Sequence, residues 1–222
     1  MKKEKHILLN TPTKISDDQL VKNSEIFFEK MDSRRTVRTF SSEPIPIEVI
    51  KNAIKTASTA PSGANKQPWH FVLVMDPEIK KQIRIAAEKE EKEFYSNRAP
   101  EEWLNDLEQF ETNEYKPFLE IAPYLIVVFE EKYKVKSDGE REKNYYIKES
   151  VGLATGLLLT ALHNVGIATL THTPSPMKFL SEILNRPNNE TPFLIVVAGY
   201  PEKGTMVPNI KRKDLDKILT VY

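Results

Sequence analysis

Apolar residues near the start of the chain recur near helical spacing. Leu20, Phe27 and Met31 follow Ser16-Asp17-Asp18-Gln19, which reads as a capping box, and together they predict a helix over about 17–31. Ile47, Ile50, Ile54 and Ala57 form the apolar face of a second helix, beginning at Pro46 and ending before Ala60-Pro61-Ser62-Gly63-Ala64. The pattern then changes. Trp69 to Met75 is apolar and partly β-branched, so it predicts a strand; Asp76-Pro77 behind it supply an N-cap and a first helical position for a helix through Ile79, Ile83 and Ala86. After Ala87 that helix turns polar. Residues 88–117 mix charges with Phe94, Tyr95, Trp103, Phe110 and Tyr115, as suits either a helical flap over a pocket or a solvated helical hairpin.

The second half begins with Tyr124 to Phe129, a nearly unbroken apolar run that predicts a strand buried on both faces. A long helix follows over 145–164, where Gly152, Ala154 and Gly156 permit close approach of another helix, such as one from a second subunit. Further strands are predicted over 167–170 and 193–198, with a short helix near 177–184 between them. Strands separated by helices make a layered α/β or α+β domain. The 222 residues fit one domain, with residues 1–30 as an arm and first helix and 88–117 as the flap.

Charge and cysteine content narrow the chemistry. Thirty-two basic residues balance 32 acidic ones, so no net field draws nucleic acid or a lipid surface. Cysteine is absent, which removes disulfides and thiol nucleophiles and fits a reducing cytoplasm. The run Ile7-Leu8-Leu9 is short for a signal core, and Ile121 to Phe129 falls far below the ~20 residues of a membrane span, so no membrane association is expected. His6, His70, His163 and His172 lack metal-ligand spacing; no metal is expected. There is no glycine-rich phosphate loop and no G-x-S-x-G.

Two cationic clusters remain. Arg34-Arg35-Thr36-Val37-Arg38 places three guanidinium groups where planar forks can grip phosphate oxygens, and Lys211-Arg212-Lys213 offers a second group near the other end. Taken singly, either reads as a solvated surface run. Together with Ala60-Pro61-Ser62-Gly63-Ala64 and the following Gln67-Pro68-Trp69, their order and separation resemble the nitroreductase superfamily of flavoproteins. Glu91 and Tyr95, four apart on the flap, and Lys116 in Thr112-Asn113-Glu114-Tyr115-Lys116 narrow the resemblance to its iodotyrosine deiodinase branch.

That resemblance implies an α+β nitroreductase-like fold, with a mixed central sheet surrounded by helices, an intertwined homodimer and FMN as cofactor. It assigns Arg34, Arg35, Thr36, Arg38 and Arg212 to the FMN phosphate and ribityl chain. Pro61, Ser62 and Gly63 would lie along the flavin, and Thr171, His172 and Thr173 would edge its ring, with Thr173 the catalytic hydroxyl beside N5. Ala64, Glu91, Tyr95 and Lys116 would hold a halotyrosine: Glu91 pairs with the α-ammonium, Lys116 and Tyr95 with the α-carboxylate. The implied reaction is reductive dehalogenation, with a separate reductase feeding the flavin in the absence of a nicotinamide motif. His172 stands where a small hydroxyl residue is common in the branch. The alternatives are a general nitroreductase or quinone reductase, in which Glu91 and Lys116 are surface charges, and a non-catalytic FMN-binding protein.

Overall fold

The structure is a computed structural model and describes residues 6–9 and 13–222; the rest of the expected N-terminal arm lies outside the described residues. The chain divides into two compact units at Arg34. In the first, α1 (Asp17–Asp32) starts where the capping box predicts, with the Ser16 hydroxyl accepting from the Gln19 amide at 3.3 Å. Its apolar residues Leu20, Val21, Ile26, Phe27 and Phe28 are all exposed.

The second unit, from Arg35 onward, is built on a four-stranded sheet. Its strands β1 (Trp69–Val74), β2 (Tyr124–Glu131), β5 (Ala168–His172) and β6 (Glu190–Gly199) lie in the order β1-β2-β6-β5, all paired antiparallel. A parallel bridge between Thr36 and Thr169 at the β5 edge makes the sheet mixed. The bridge also anchors the arginine cluster to the sheet, since the Val37 amide donates to the Thr169 carbonyl at 3.2 Å.

Strand β2 is fully buried over Tyr124 to Phe129, as its unbroken apolar run requires. Its alternate residues feed two cores. Leu125, Val127 and Phe129 pack with Ile83 and Ala87 of α3 (Pro77–Glu93) and with Phe118, Leu170 and Leu180. Tyr124, Ile126 and Val128 pack with Ile50 and Ala57 of α2 (Ile47–Ala57) and with Val151, Leu158 and Leu162 of α6 (Ile147–Asn164). The sheet is thus covered on both faces. Among the described residues no helix is long and apolar enough to cross a membrane.

The flap consists of the end of α3, a π-helical turn over Phe94–Arg98, and α4 (Glu101–Glu108). In that turn the Ala99 amide reaches back to the Phe94 carbonyl at 2.9 Å. Turns of this kind occur frequently at functional sites. The short α5 (Phe118–Ile121) follows, and buried Lys80 ties it to α3 by donating to the carbonyls of Glu120 at 2.7 Å and Ala122 at 2.9 Å. A small hairpin, β3 (Tyr133–Val135) with β4 (Arg141–Lys143), is an addition to the elements expected from sequence. The short helix α7 (Lys178–Ile183) connects β5 to β6.

Candidate active site

Strand β5 alternates sharply at its end: Thr171 and Thr173 are exposed, while His172 between them turns inward and is 7% exposed. The two hydroxyls therefore share one side. Thr171, His172 and Thr173 all line a cavity of about 490 Å³, together with Arg38, Glu91, Tyr95 and Lys116. These seven residues are spread from residue 38 to residue 173. Its remaining walls include Phe94 of the π-helical turn, Trp103 and Leu107 of α4, and Met177 and Phe193. The Phe94 ring meets the Tyr95 and Trp103 rings edge-on at 5.5 and 5.0 Å.

Glu91 and Lys116 form a pair at 3.2 Å, and Lys116 is only 3% exposed. The ammonium also donates to the Thr112 hydroxyl at 3.2 Å and to the Asn113 carbonyl, and it lies 5.6 Å from the centre of the Tyr95 ring. Its backbone is held as well: the Lys116 amide donates to Glu88 at 2.8 Å, and Glu88 is paired with Arg84. Burial pushes the Lys116 ammonium below its ordinary pKa, and Glu91 opposes the shift. Tyr95 is held above its ordinary value, chiefly by burial, so it remains a phenol and a hydrogen-bond donor.

His172 packs edge-on against Phe118 at 5.5 Å, and its Nε2 lies 4.0 Å from Glu91 Oε1. Burial first, then the charge of Lys116, pushes the imidazole down to about 3, so it is neutral at physiological pH and the Glu91 contact is not an ion pair. The depressed value sets a direction for stability. An unfolded chain takes up this proton near pH 6.5, whereas the folded protein resists until about pH 3. Stability from His172 is thus complete above about pH 6.5 and declines as pH falls toward 3. Urea unfolding of wild type and His172→Phe should show it: wild type loses roughly 3 kcal/mol more between pH 7 and pH 4. Parallel pH profiles would show that the buried imidazole carries no such linkage.

Two members of the arginine cluster, Thr36 and Arg38, line a second concavity of about 540 Å³ with Phe110 and the segment Met206 to Asn209. Arg38 lines both spaces, with its guanidinium 5.3 Å from the centre of the Phe110 ring. Arg35 donates to the Pro208 carbonyl, joining the cluster to the C-terminal segment that continues to Arg212. Arg34 belongs to the preceding unit, at the end of α1.

Pro61, Ser62, Gly63 and Ala64 line neither space. Pro61 instead borders a groove of about 720 Å³ along α6, with Gly152, Leu153, Gly156 and Leu157. Gly63 is pressed against α6, where a Cβ would stand 2.7 Å from the Tyr146 ring. Ala64, Asn65 and Gln67 all adopt left-handed backbone, a concentration of strain that the Gln67 amide's 2.9 Å bond to Ser62 helps to hold.

The nitroreductase family model matches residues 31–200. The chain belongs to the nitroreductase family. Within it, an iodotyrosine deiodinase of Haliscomenobacter hydrossis is 58% identical over 205 residues, covering 92% of this chain and 92% of that protein. Iodotyrosine deiodinase 1 of Homo sapiens is 42% identical over 206 residues, covering 91% of this chain and 71% of the relative. Among nitroreductase-family structures, oxidized iodotyrosine deiodinase bound to FMN and 3-iodo-L-tyrosine matches with a TM-score of 0.74 at 34% identity, over 88% of this chain and all of the other. A BluB-like flavoprotein from Clostridium difficile 630 shares the nitroreductase fold at a TM-score of 0.67 and 21% identity.

Proposed function

We propose that this chain catalyses FMN-dependent reductive dehalogenation of halotyrosines, releasing tyrosine and halide. The observation that carries the reading is the pairing of Glu91 with Lys116 beside Tyr95, in the same cavity as Thr173 and Arg38. A partly buried carboxylate and a buried ammonium offer the two charges that an amino-acid zwitterion complements. In the free protein they neutralise each other at 3.2 Å, so a substrate must exchange one ion pair for two. A molecule with only one of those charges leaves a buried group unpaired, a source of specificity.

The residues present fit FMN. Arg35, Thr36, Arg38 and Arg212 supply the planar forks and hydroxyl that a phosphate dianion calls for, and Arg38 is already half desolvated, its pKa lowered by burial. Thr171 and Thr173 would face the flavin ring. When bound, FMN supplies the two electrons that replacement of carbon–halogen by carbon–hydrogen consumes, along with one proton. The protein's part is orientation: Glu91 receives the α-ammonium, Lys116 and the Tyr95 phenol receive the α-carboxylate, and Phe94, Trp103 and Leu107 flank the ring. The flap excludes water from these contacts. Thr173 can donate or accept a hydrogen bond through its hydroxyl as protonation at the reacting centre changes. Titrating the FMN-loaded protein with 3-iodotyrosine tests the reading. A saturable change in flavin absorbance, absent with 3-iodo-4-hydroxyphenylpropionate at the same concentrations, is expected; equal responses would favour a general reductase for aromatic substrates.

The reading includes a homodimer whose second subunit brings Pro61, Ser62, Gly63 and Ala64 to the flavin. It is supported by the separation of that loop from the cavity within one chain, by the apolar groove along α6, and by exposed Leu215, Ile218, Leu219 and Val221 near the C-terminus. Nothing lies within 4 Å of a Cβ built on Gly156, so a side chain can leave the helix there, and Gly156→Trp is expected to obstruct an approaching helix. Light scattering should show the shift from dimer to monomer, with FMN affinity falling in parallel; an intact dimer would place the interface elsewhere. The absence of cysteine supports a cytoplasmic setting, and a separate flavin-reducing partner completes the scheme.

A further inference from the structure

His172 Nε2 is a buried polar atom without a hydrogen-bond partner. Such atoms are uncommon in folded proteins and call for an explanation. The imidazole has little freedom to find a partner by moving: it sits at the end of β5, in register with Ile195, and its ring abuts Phe118. Its polar neighbour is Glu91 Oε1 at 4.0 Å, a distance that a shift of about 1 Å would turn into a hydrogen bond. Glu91 stands on the last turn of α3, beside the π-helical turn, and its other oxygen is drawn to Lys116 at 3.2 Å.

We propose that His172 is a positioning residue for substrate binding, its Nε2–H donating to Glu91 Oε1 when Lys116 turns from Glu91 to the carboxylate of the bound amino acid. This rests on the zwitterion reading of the Glu91 and Lys116 pair. In the free protein Lys116 holds the Glu91 carboxylate off the imidazole. Once the substrate engages Lys116, Glu91 loses that partner and takes two donors, the substrate ammonium and His172. The side chain is then held from both sides, with its charge still facing the ligand. A neutral imidazole suits the task, because it donates one hydrogen bond without adding a third charge beside Lys116 and the incoming ammonium. The groups facing it are Glu91, Lys116 and the uncharged Phe118 edge.

The test is a double-mutant cycle read by spectral titration of FMN-loaded protein with 3-iodotyrosine. With Glu91 present, His172→Phe, which keeps a planar ring against Phe118, is expected to raise Kd about tenfold, and His172→Gln, which restores an N–H donor, to recover most of that loss. In the Glu91→Gln background the same His172→Phe change should move Kd less than twofold, because the charged acceptor is gone. An equal loss in both backgrounds, or no loss with Glu91 present, would overturn the inference and reduce His172 to packing. Wild-type protein that gives no spectral response to 3-iodotyrosine would instead overturn the zwitterion reading, and this one with it.

Discussion

Replacing Glu91 by Gln is expected to weaken 3-iodotyrosine binding by roughly 30- to 100-fold, the loss of one charge-assisted contact with an ammonium. A second cost falls on the free protein. Lys116 is 3% exposed and has Glu91 as a carboxylate partner at 3.2 Å, so the variant leaves a buried ammonium to the neutral Thr112 and Asn113 oxygens and the Tyr95 ring, with no carboxylate in direct contact among the described residues. Removing one partner of a buried pair destabilises by about 3 kcal/mol, and here the loss should concentrate in the flap. Hydrogen exchange at Thr112 to Phe118 would report it as faster opening. Reduction of a nitroarene, which makes no demand on Glu91, should fall far less than halotyrosine binding. If both fall together, Glu91 supports the fold of the flap and is not the ammonium receptor.

Arg38→Ala is expected to lower FMN affinity by about 100-fold, because Arg38 lines both concavities, the two spaces proposed for the FMN phosphate and the substrate. Arg35 makes a less decisive variant, since its side chain also binds the Pro208 carbonyl and its loss would loosen the C-terminal segment. Arg38 is half desolvated over the Phe110 ring, so its charge is available to a phosphate at little further solvation cost. Mass action gives an independent readout. At an FMN concentration that saturates wild type, a 100-fold weaker affinity removes about 2.7 kcal/mol of ligand-derived stability, visible as a smaller FMN-dependent rise in Tm. An undiminished rise would remove Arg38 from the cofactor site.

Much of this architecture is readable from residue order. The Ser16 cap, the Asp76-Pro77 entry to α3 and the double-faced burial of β2 follow from local chemistry, and each element lies within a few residues of its expected bounds. The β3–β4 hairpin gave no comparable signal: Tyr133-Lys134-Val135 and Arg141-Glu142-Lys143 are short and largely charged, without an apolar face to mark a strand. The start of α6 moved to Ile147 because Tyr146 takes a left-handed conformation, which no spacing of apolar residues reveals. At the site, periodicity could not show that Glu91 meets Lys116 near the other end of the flap. The two charges converge because the π-helical turn and α4 fold the intervening chain back. Met177 and Phe193 reach the cavity from separate elements and carried no local mark, whereas Trp103 and Leu107, four apart on α4, form a face that could have been read. His172 was expected among the residues edging the flavin; it lines the cavity with Thr171 and Thr173, and its contacts with Phe118 and Glu91 join residues far apart in the chain, which no local pattern reveals.

The most direct test of the account is halide release. FMN-loaded protein incubated anaerobically with dithionite and 3-iodotyrosine should release iodide over many turnovers, with tyrosine in equal amount, against a protein-free control that releases little. No iodide, with the flavin demonstrably bound and reduced, would contradict the assignment and leave a nitroreductase-family protein acting on other aromatic acceptors.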